Sequence, residues 1–421
     1  MEVIPLKKKR RLFPVFCIIL CIITSTISAG AVDTSEVIDQ ADVSITSIEV
    51  DTLNAKEETA AKTPEFTVEA KSAILIEAET GKVLYAFNEH EPLPIASITK
   101  IMTMLLVMEA IDSGKINLTD KVTVSAYASG MGGSQVYLKE GEVFTVEELL
   151  KAVAVHSAND ASVSLAEAVA GSEEAFVAMM NEKCKELGMK NTKFLDCTGL
   201  TDEGHYSSAY DVAIMSRELL IKHPRIIHYT TIWHDTFRDG TFDLDNTNKL
   251  IKRYRGTTGI KTGFTNAAGF CLSASAERNG TKFISVLLGA KTNDLRFSES
   301  ARLLDYGFSN WESVKIEKKD MQAGTVKVRK GVTAEIPVTF SSDAFVVVRK
   351  GSREKITESL EIPEVVNAPV EKGQTIGVLN IDLDGERLAS IPVVAAENSE
   401  RCTLGKALMM VINKWLMLSI K

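Results

Sequence analysis

The chain is poor in the patterns on which several protein classes depend. Its 421 residues hold six cysteines and no C-x-x-C. Its six histidines (His90, His156, His205, His223, His228 and His234) include no H-E-x-x-H. The common zinc signatures are therefore missing, and the sequence gives no ground for a metal. No Rossmann or P-loop glycine pattern is present, so a nucleotide cofactor has no support either. A G-x-S-x-G elbow, the mark of many Ser-His-Asp hydrolases, is also absent. Basic residues are outnumbered, 48 against 56 acidic, for a formal charge of −8. That sign argues against a nucleic-acid partner. With 10 prolines, 26 glycines and 45% hydrophobic residues, the chain is neither collagen-like nor wholly disordered.

Long hydrophobic runs are missing too. The apolar stretch Leu12 to Ile27 is short for a membrane span and is interrupted by Pro14, Thr24, Ser25 and Thr26. It follows the basic cluster Lys7 to Arg11 and precedes Ala29-Gly30-Ala31. Basic flank, short apolar run and small-residue A-x-A site together predict a secretory signal over residues 1–31, cleaved after Ala31. Cleavage would leave four cysteines and a formal charge of −12. Cys184, Cys197, Cys271 and Cys402 are too scattered for a disulfide framework. Buried thiols are expected, with a Cys184–Cys197 bridge left open.

Composition divides the rest. Residues 32–66 are acidic and aperiodic and read as a mobile leader. From Thr67, two strand-like runs (Lys71 to Ala78, Val83 to Phe87) flank a hairpin signal. Helical patterns follow at Ser97 to Ile111, Val146 to Val155, Ala161 to Ala170, Glu173 to Leu187 and Tyr210 to Lys222. Strand-like runs return at Gly259 to Thr262, Gly269 to Ala276 and Lys282 to Leu288, the last two joined by Asn279-Gly280, before a helix over Leu295 to Tyr306. This order predicts an α+β domain over 67–313, its antiparallel sheet closed by early and late strands around a helical region. Residues 314–395 alternate in short runs and predict a small all-β domain of about 80 residues. In 396–421, Leu404, Ala407, Leu408, Val411, Trp415 and Leu418 share one helix face, with Lys406, Asn413 and Lys421 opposite. That pattern predicts an amphipathic helix lying in a membrane surface.

Three short motifs carry chemistry. In Ser97-Ile98-Thr99-Lys100, positions i and i+3 of a helix are neighbours, so an amine can meet a hydroxyl. A hydroxyl is a weak nucleophile without a base, and an amine serves as base only when neutral, which burial or a nearby cation brings about. Ser157-Ala158-Asn159 falls on a turn between helices, where a hydroxyl can relay a proton and an amide can hold a carbonyl; a plain N-cap would use the same residue types. Lys261-Thr262-Gly263 ends a strand-like run, where a glycine admits another backbone and Lys with Thr can bind a carboxylate. A second S-x-x-K, Ser352 to Lys355, has no partner motifs and reads as polar loop. His156, though adjacent to Ser157, should point away from it.

The three motifs in this order resemble those of β-lactamases and penicillin-binding proteins. With Met131-Gly132-Gly133-Ser134, Gly204-His205-Tyr206-Ser207-Ser208, the β domain and the amphipathic tail, the chain from about Thr67 resembles the exported serine-type D-alanyl-D-alanine carboxypeptidases, the low-molecular-weight penicillin-binding proteins. The resemblance implies a transpeptidase-like catalytic fold with no cofactor. Ser97 would be the acylated nucleophile, Lys100 its proton acceptor, and Ser157 and Asn159 would move protons and hold substrate. Lys261, Thr262 and Gly263 would face the terminal carboxylate, and the backbone N–H groups of Ser97 and Phe264 would form the oxyanion hole. The implied substrate is the peptidoglycan stem pentapeptide at the outer face of the cell membrane, with β-lactams as covalent inhibitors. A β-lactamase, or a non-catalytic wall-binding protein on the same scaffold, would share the motifs. The long chain, extra β domain and tail weigh against the first, and the intact motifs against the second.

Overall fold

The computed structural model describes residues 67–418, Asp202 excepted. The expected export signal and acidic leader lie outside the described residues, as does the end of the tail. Five antiparallel strands form the main sheet, in the order Val83–Phe87, Ser72–Glu77, Thr281–Ala290, Gly269–Arg278, Thr257–Thr265. Early and late strands thus close one sheet, as the sequence predicts. Asn279 and Gly280 have φ of 52° and 77°, the two positive values that a type I′ hairpin turn requires.

Ser72–Glu77 is buried along its whole length. Ile74 and Ile76 enter the large core shared with the helical region, while Ala73 and Leu75 pack with Leu303, Leu304 and Phe308 of the Asn293–Asn310 helix. The period of two gives such a strand two apolar faces, each covered by helices. The Lys100–Asp112 helix runs through the large core, buried at every position from Lys100 to Met108. Its mostly apolar sequence leaves no solvent face over that stretch, and only the last turn, with Glu109 and Asp112, reaches the surface.

Several elements differ from their sequence-based limits. The stretch expected as one helix over 146–155 is an α-helix, Val146–Lys151, opened by a Thr145/Glu148 capping box, and then a π-turn, Ala152–His156. Ser157 follows in the left-handed conformation, φ 67°. The helix at Asn159–Ala170 has no side-chain N-cap, so Ser157 is not acting as one. The short run at 259–262 proves to be a nine-residue strand, Thr257–Thr265. The hairpin His234–Phe237/Phe242–Asp245 adds to the sequence-based elements: Asp239-Gly240 is a turn signal and Phe242 to Asp245 alternates, but each strand is only four residues long. Cys184, Cys197 and Cys271 are buried free thiols, which excludes the Cys184–Cys197 bridge.

Beyond the Asn293–Asn310 helix, Trp311–Ile316 pairs with Ala344–Arg349. A six-stranded sheet follows, in the order Ile356–Glu361, Thr375–Leu383, Glu386–Ala395, Glu335–Phe340, Gln322–Arg329, Val365–Asn367. Its core is aliphatic, with Val326, Val338, Leu379, Ile381, Ile391 and Val393 around Phe340. Ile356–Glu361 escaped the sequence reading because it is largely exposed and has no alternation to show. The second S-x-x-K lies before that strand, on an exposed turn at Arg353–Lys355. The last described element is a helix, Leu404–Leu418, with Leu404, Leu408, Val411 and Trp415 all exposed. Among the described residues no helix is long and apolar enough to cross a membrane.

Candidate active site

Ser97 lies on a single 3₁₀ turn, Ala96–Thr99, that feeds the buried Lys100–Asp112 helix. Lys100 is fully buried, and its Nζ meets three acceptors: Ser97 Oγ at 3.1 Å, Asn159 Oδ1 at 2.6 Å and the Thr198 carbonyl at 2.7 Å. Burial lowers its pKa from the ordinary lysine value to about 8, against the opposing pull of Cys197, Asp196 and Asp160.

Asn159 is pinned from both ends. Its Nδ2 donates to the Gly132 carbonyl at 2.7 Å and its backbone N–H to the Ser134 carbonyl at 2.7 Å. A Cβ at Gly133, where φ is 76°, would stand 2.7 Å from Asn159 Nδ2. Glycine is therefore required for the Met131–Ser134 loop to reach the amide. The neighbouring Asp160 accepts the backbone N–H groups of Val136 and Leu138, which holds the far side of that loop. Ser157 Oγ is buried and has no hydrogen-bond partner in the molecule. His156 turns away, its ring edge-on to Phe242 at 5.4 Å between centroids.

The third motif occupies the edge strand of the main sheet, with Lys261 paired to Ser273 and Phe264 to Phe270. A Cβ on Gly263 would lie 2.6 Å from the Ile95 carbonyl oxygen and 3.1 Å from the Ile98 nitrogen. That bare backbone lets the strand press against the Ser97 turn, 166 residues away in sequence from Ser97 to Gly263. Phe264 is half exposed and stacks on Phe270. Thr262 Oγ1 donates to Thr247 Oγ1 at 2.6 Å. Lys261 is buried, with its Nζ on the Thr262 carbonyl at 3.0 Å. Burial, then the charges of Lys100 and Arg296, push its pKa well below the ordinary lysine value.

The three motifs thus meet, and two further contributors join them that the sequence reading missed. Thr198 holds Lys100 through a backbone carbonyl, which leaves no trace in a side-chain pattern. Arg296, on the Asn293–Asn310 helix, donates to the Gly263 carbonyl at 3.0 Å, and burial lowers its pKa to about 10. Among the described residues none of Lys100, Lys261 and Arg296 is in an ion pair with a carboxylate, and no group of side chains could hold a metal. Three buried basic groups with no direct carboxylate partner suit an anionic ligand. A hydroxyl, an amine with a lowered pKa beside it and two further basic groups without a carboxylate partner are the parts that acyl transfer on a substrate ending in a carboxylate requires.

Comparison with known proteins agrees with this. The family model described as D-alanyl-D-alanine carboxypeptidase matches residues 57–292, and that of the penicillin-binding protein 5 C-terminal domain matches 311–401. D-alanyl-D-alanine carboxypeptidase DacF of Bacillus subtilis is 46% identical over 84% of this chain and 92% of its own. Penicillin binding protein 5 of Haemophilus influenzae superposes with a TM-score of 0.72 at 32% identity, over 80% of this chain and 98% of its own. Penicillin-Binding Protein D2 of Listeria monocytogenes, solved in an ampicillin-bound form, superposes at 0.54 with 32% identity, over 58% of this chain and all of its own. The chain belongs to the D-alanyl-D-alanine carboxypeptidase family and is a hydrolytic peptidase on the penicillin-binding-protein fold.

Proposed function

We propose that the chain removes the terminal D-Ala from peptidoglycan stem pentapeptides through an acyl-enzyme on Ser97. The observation that carries this reading is the coordination of Lys100. As an ammonium it has three protons for three acceptors. As a neutral amine it keeps two N–H bonds, on the shorter contacts to Asn159 and Thr198, and turns its lone pair to Ser97. The Ser97 hydroxyl then donates to the amine, and its oxygen attacks the D-Ala–D-Ala carbonyl. With a pKa of about 8, roughly a tenth of the enzyme is in that form at neutral pH, enough for a base matched to its task.

The Ser–O–C bond forms as the peptide C–N bond breaks, and the leaving D-Ala nitrogen takes the proton from Lys100 by way of Ser157. Water then hydrolyses the ester along the same proton route. Lys261, Thr262 and Gly263 receive the substrate's terminal carboxylate, with Arg296 behind them adding positive charge. The backbone N–H groups of Ser97 and Phe264 hold the oxyanion, a role supported by the contact between Gly263 and the Ser97 turn. β-Lactams acylate the same oxygen, in keeping with the ampicillin-bound relative.

In this reading residues 67–313 do the chemistry, 314–395 form a separate β domain, and 396–421 rest on the outer face of the cell membrane after export. The exposed Leu404, Leu408, Val411 and Trp415 support that placement. Mass spectrometry of the penicillin-treated protein, with the labelled peptide sequenced, tests the mechanism: a stable adduct on Ser97 with D-Ala release from a D-Ala-D-Ala peptide is expected. A label elsewhere overturns the mechanism, and rapid turnover of penicillin makes the protein a β-lactamase instead. Deleting residues 403–421 is expected to release the protein from membranes, checked by fractionation. An unchanged membrane fraction overturns the surface-helix assignment.

A further inference from the structure

Behind the site lies a buried histidine that the mechanism above does not use. His205 is 1% exposed, and its ring packs edge-on against Phe194 at 5.5 Å. The Leu195 N–H donates to its Nδ1 at 3.2 Å. A backbone N–H can only donate, so Nδ1 carries the lone pair and the ring proton is on Nε2. Nε2 lies 2.8 Å from Thr99 Oγ1 and therefore donates to it. The Thr99 hydroxyl in turn donates to the Ala96 carbonyl at 2.8 Å. The chain of bonds runs one way, from Leu195 through His205 and Thr99 to Ala96.

It ends on a strained residue. Ala96 has φ 48°, a left-handed conformation that L side chains rarely adopt, and it directly precedes Ser97. Such a conformation persists only where its surroundings over-determine it. Here they do. A Cβ on Gly199 would stand 1.9 Å from the Ala96 oxygen, so the backbone after Thr198 presses on the same carbonyl. The Asp196 carboxylate holds that backbone through the N–H groups of Thr198 at 2.7 Å and Thr201 at 3.0 Å, and its Oδ2 lies 3.7 Å from His205 Nδ1. The His205 segment is also tied to the approach to Ser97, since Leu93 and Ser207 exchange backbone bonds at 2.8 and 3.0 Å.

We propose that His205 is a positioning residue for acylation: acting through Thr99, it holds the Ala96 peptide and so aims the Ser97 hydroxyl at Lys100. It touches neither substrate nor the reacting oxygen. The inference rests on Ser97 being the nucleophile and adds to it the device that sets its direction. Thr99 is the means of testing it, because Val is nearly isosteric with Thr but cannot pass the bond on, whereas Ser can.

The test measures, on the full chain, the acylation rate with a fluorescent penicillin, KM and kcat for D-Ala release, and the thermal midpoint. Thr99→Val and His205→Phe are each expected to slow acylation about tenfold or more with KM little changed, the size of loss that misaiming a reacting group produces. Thr99→Ser and His205→Gln, which restore a hydroxyl and an N–H donor, are expected to recover most of the rate. The double variant Thr99→Val/His205→Phe is expected to be no slower than its slower parent, because both break one chain of bonds. Wild-type rates in Thr99→Val, equal losses in Thr99→Val and Thr99→Ser, or losses that multiply in the double variant would each overturn the proposal while leaving Ser97 as nucleophile. A wild-type protein that is not acylated at Ser97 would overturn both. If His205→Phe does not fold, the Thr99 pair decides the question alone.

Discussion

The two β-containing regions of this chain treat buried polar groups in opposite ways. Within the six-stranded sheet the core is aliphatic, and the buried polar side chains are satisfied. Asn380 bonds to Glu361 at 2.7 Å and to Ser390 at 3.0 Å, and Ser399 bonds to the Thr333 carbonyl at 3.0 Å. Around the five-stranded sheet, by contrast, the basic side chains of Lys100, Lys261 and Arg296 are buried without a carboxylate partner and Ser157 Oγ has no hydrogen-bond partner. Burying a charge without an opposite charge is costly, and an orphaned hydroxyl adds to the cost. A region that bears such costs is organised for something other than its own stability. The β region has no comparable cost and is built as a well-packed support.

That contrast can be tested by substitutions on each side. The largest effect is expected for Ser97→Ala, which should abolish both D-Ala release and covalent penicillin labelling, read by gel fluorescence. Retained labelling would place the nucleophile elsewhere. Lys100→Gln should slow acylation by about 10²- to 10⁴-fold, the usual worth of a general base. In the unsubstituted protein the acylation rate should rise with pH and level off above about 8 if the neutral amine is the base, as proposed. A flat profile from pH 6 to 9 would remove Lys100 from that role. Gly263→Ala should cost roughly tenfold or more in acylation, since its Cβ would meet the Ile95 carbonyl oxygen at 2.6 Å and push the edge strand off the Ser97 turn. Ile381→Ala, in the aliphatic core of the second sheet, should destabilise that region by about 2–4 kcal/mol in a denaturant melt and leave acylation unchanged. A matching loss of acylation would mean that the two regions are less independent in their work than their interiors suggest.

How much of this was readable from the sequence follows from what kind of atom does the work. Ser97, Lys100, Ser157, Asn159, Lys261 and Thr262 were legible as candidates because their chemistry is in side chains at fixed spacing; the structure joins Ser97 and Asn159 through Lys100 and sets Gly263 of the third motif against the Ser97 turn. The Thr198 carbonyl was not legible, because every residue has one. Arg296 was not, because one arginine on an amphipathic helix reads as a solvated charge until the fold buries it. His205 was visible within a motif, yet its task depends on which ring nitrogen faces Thr99 and which faces Leu195, and spacing does not encode that. The fold shows the same division. Apolar alternation revealed the interior strands, while the exposed strand at Ile356–Glu361 gave no period to detect and the four-residue strands of the hairpin after His234 are too short to stand out.

The crowding of positive charge behind the edge strand has a consequence for the resting enzyme. Burial, and then the charges of Lys100 and Arg296, lower the proton affinity of Lys261. A carboxylate brought beside that amine would raise its proton affinity, so binding of such a group is expected to be linked to proton uptake. Its release would return the proton, which makes affinity for a carboxylate ligand at this strand depend on pH.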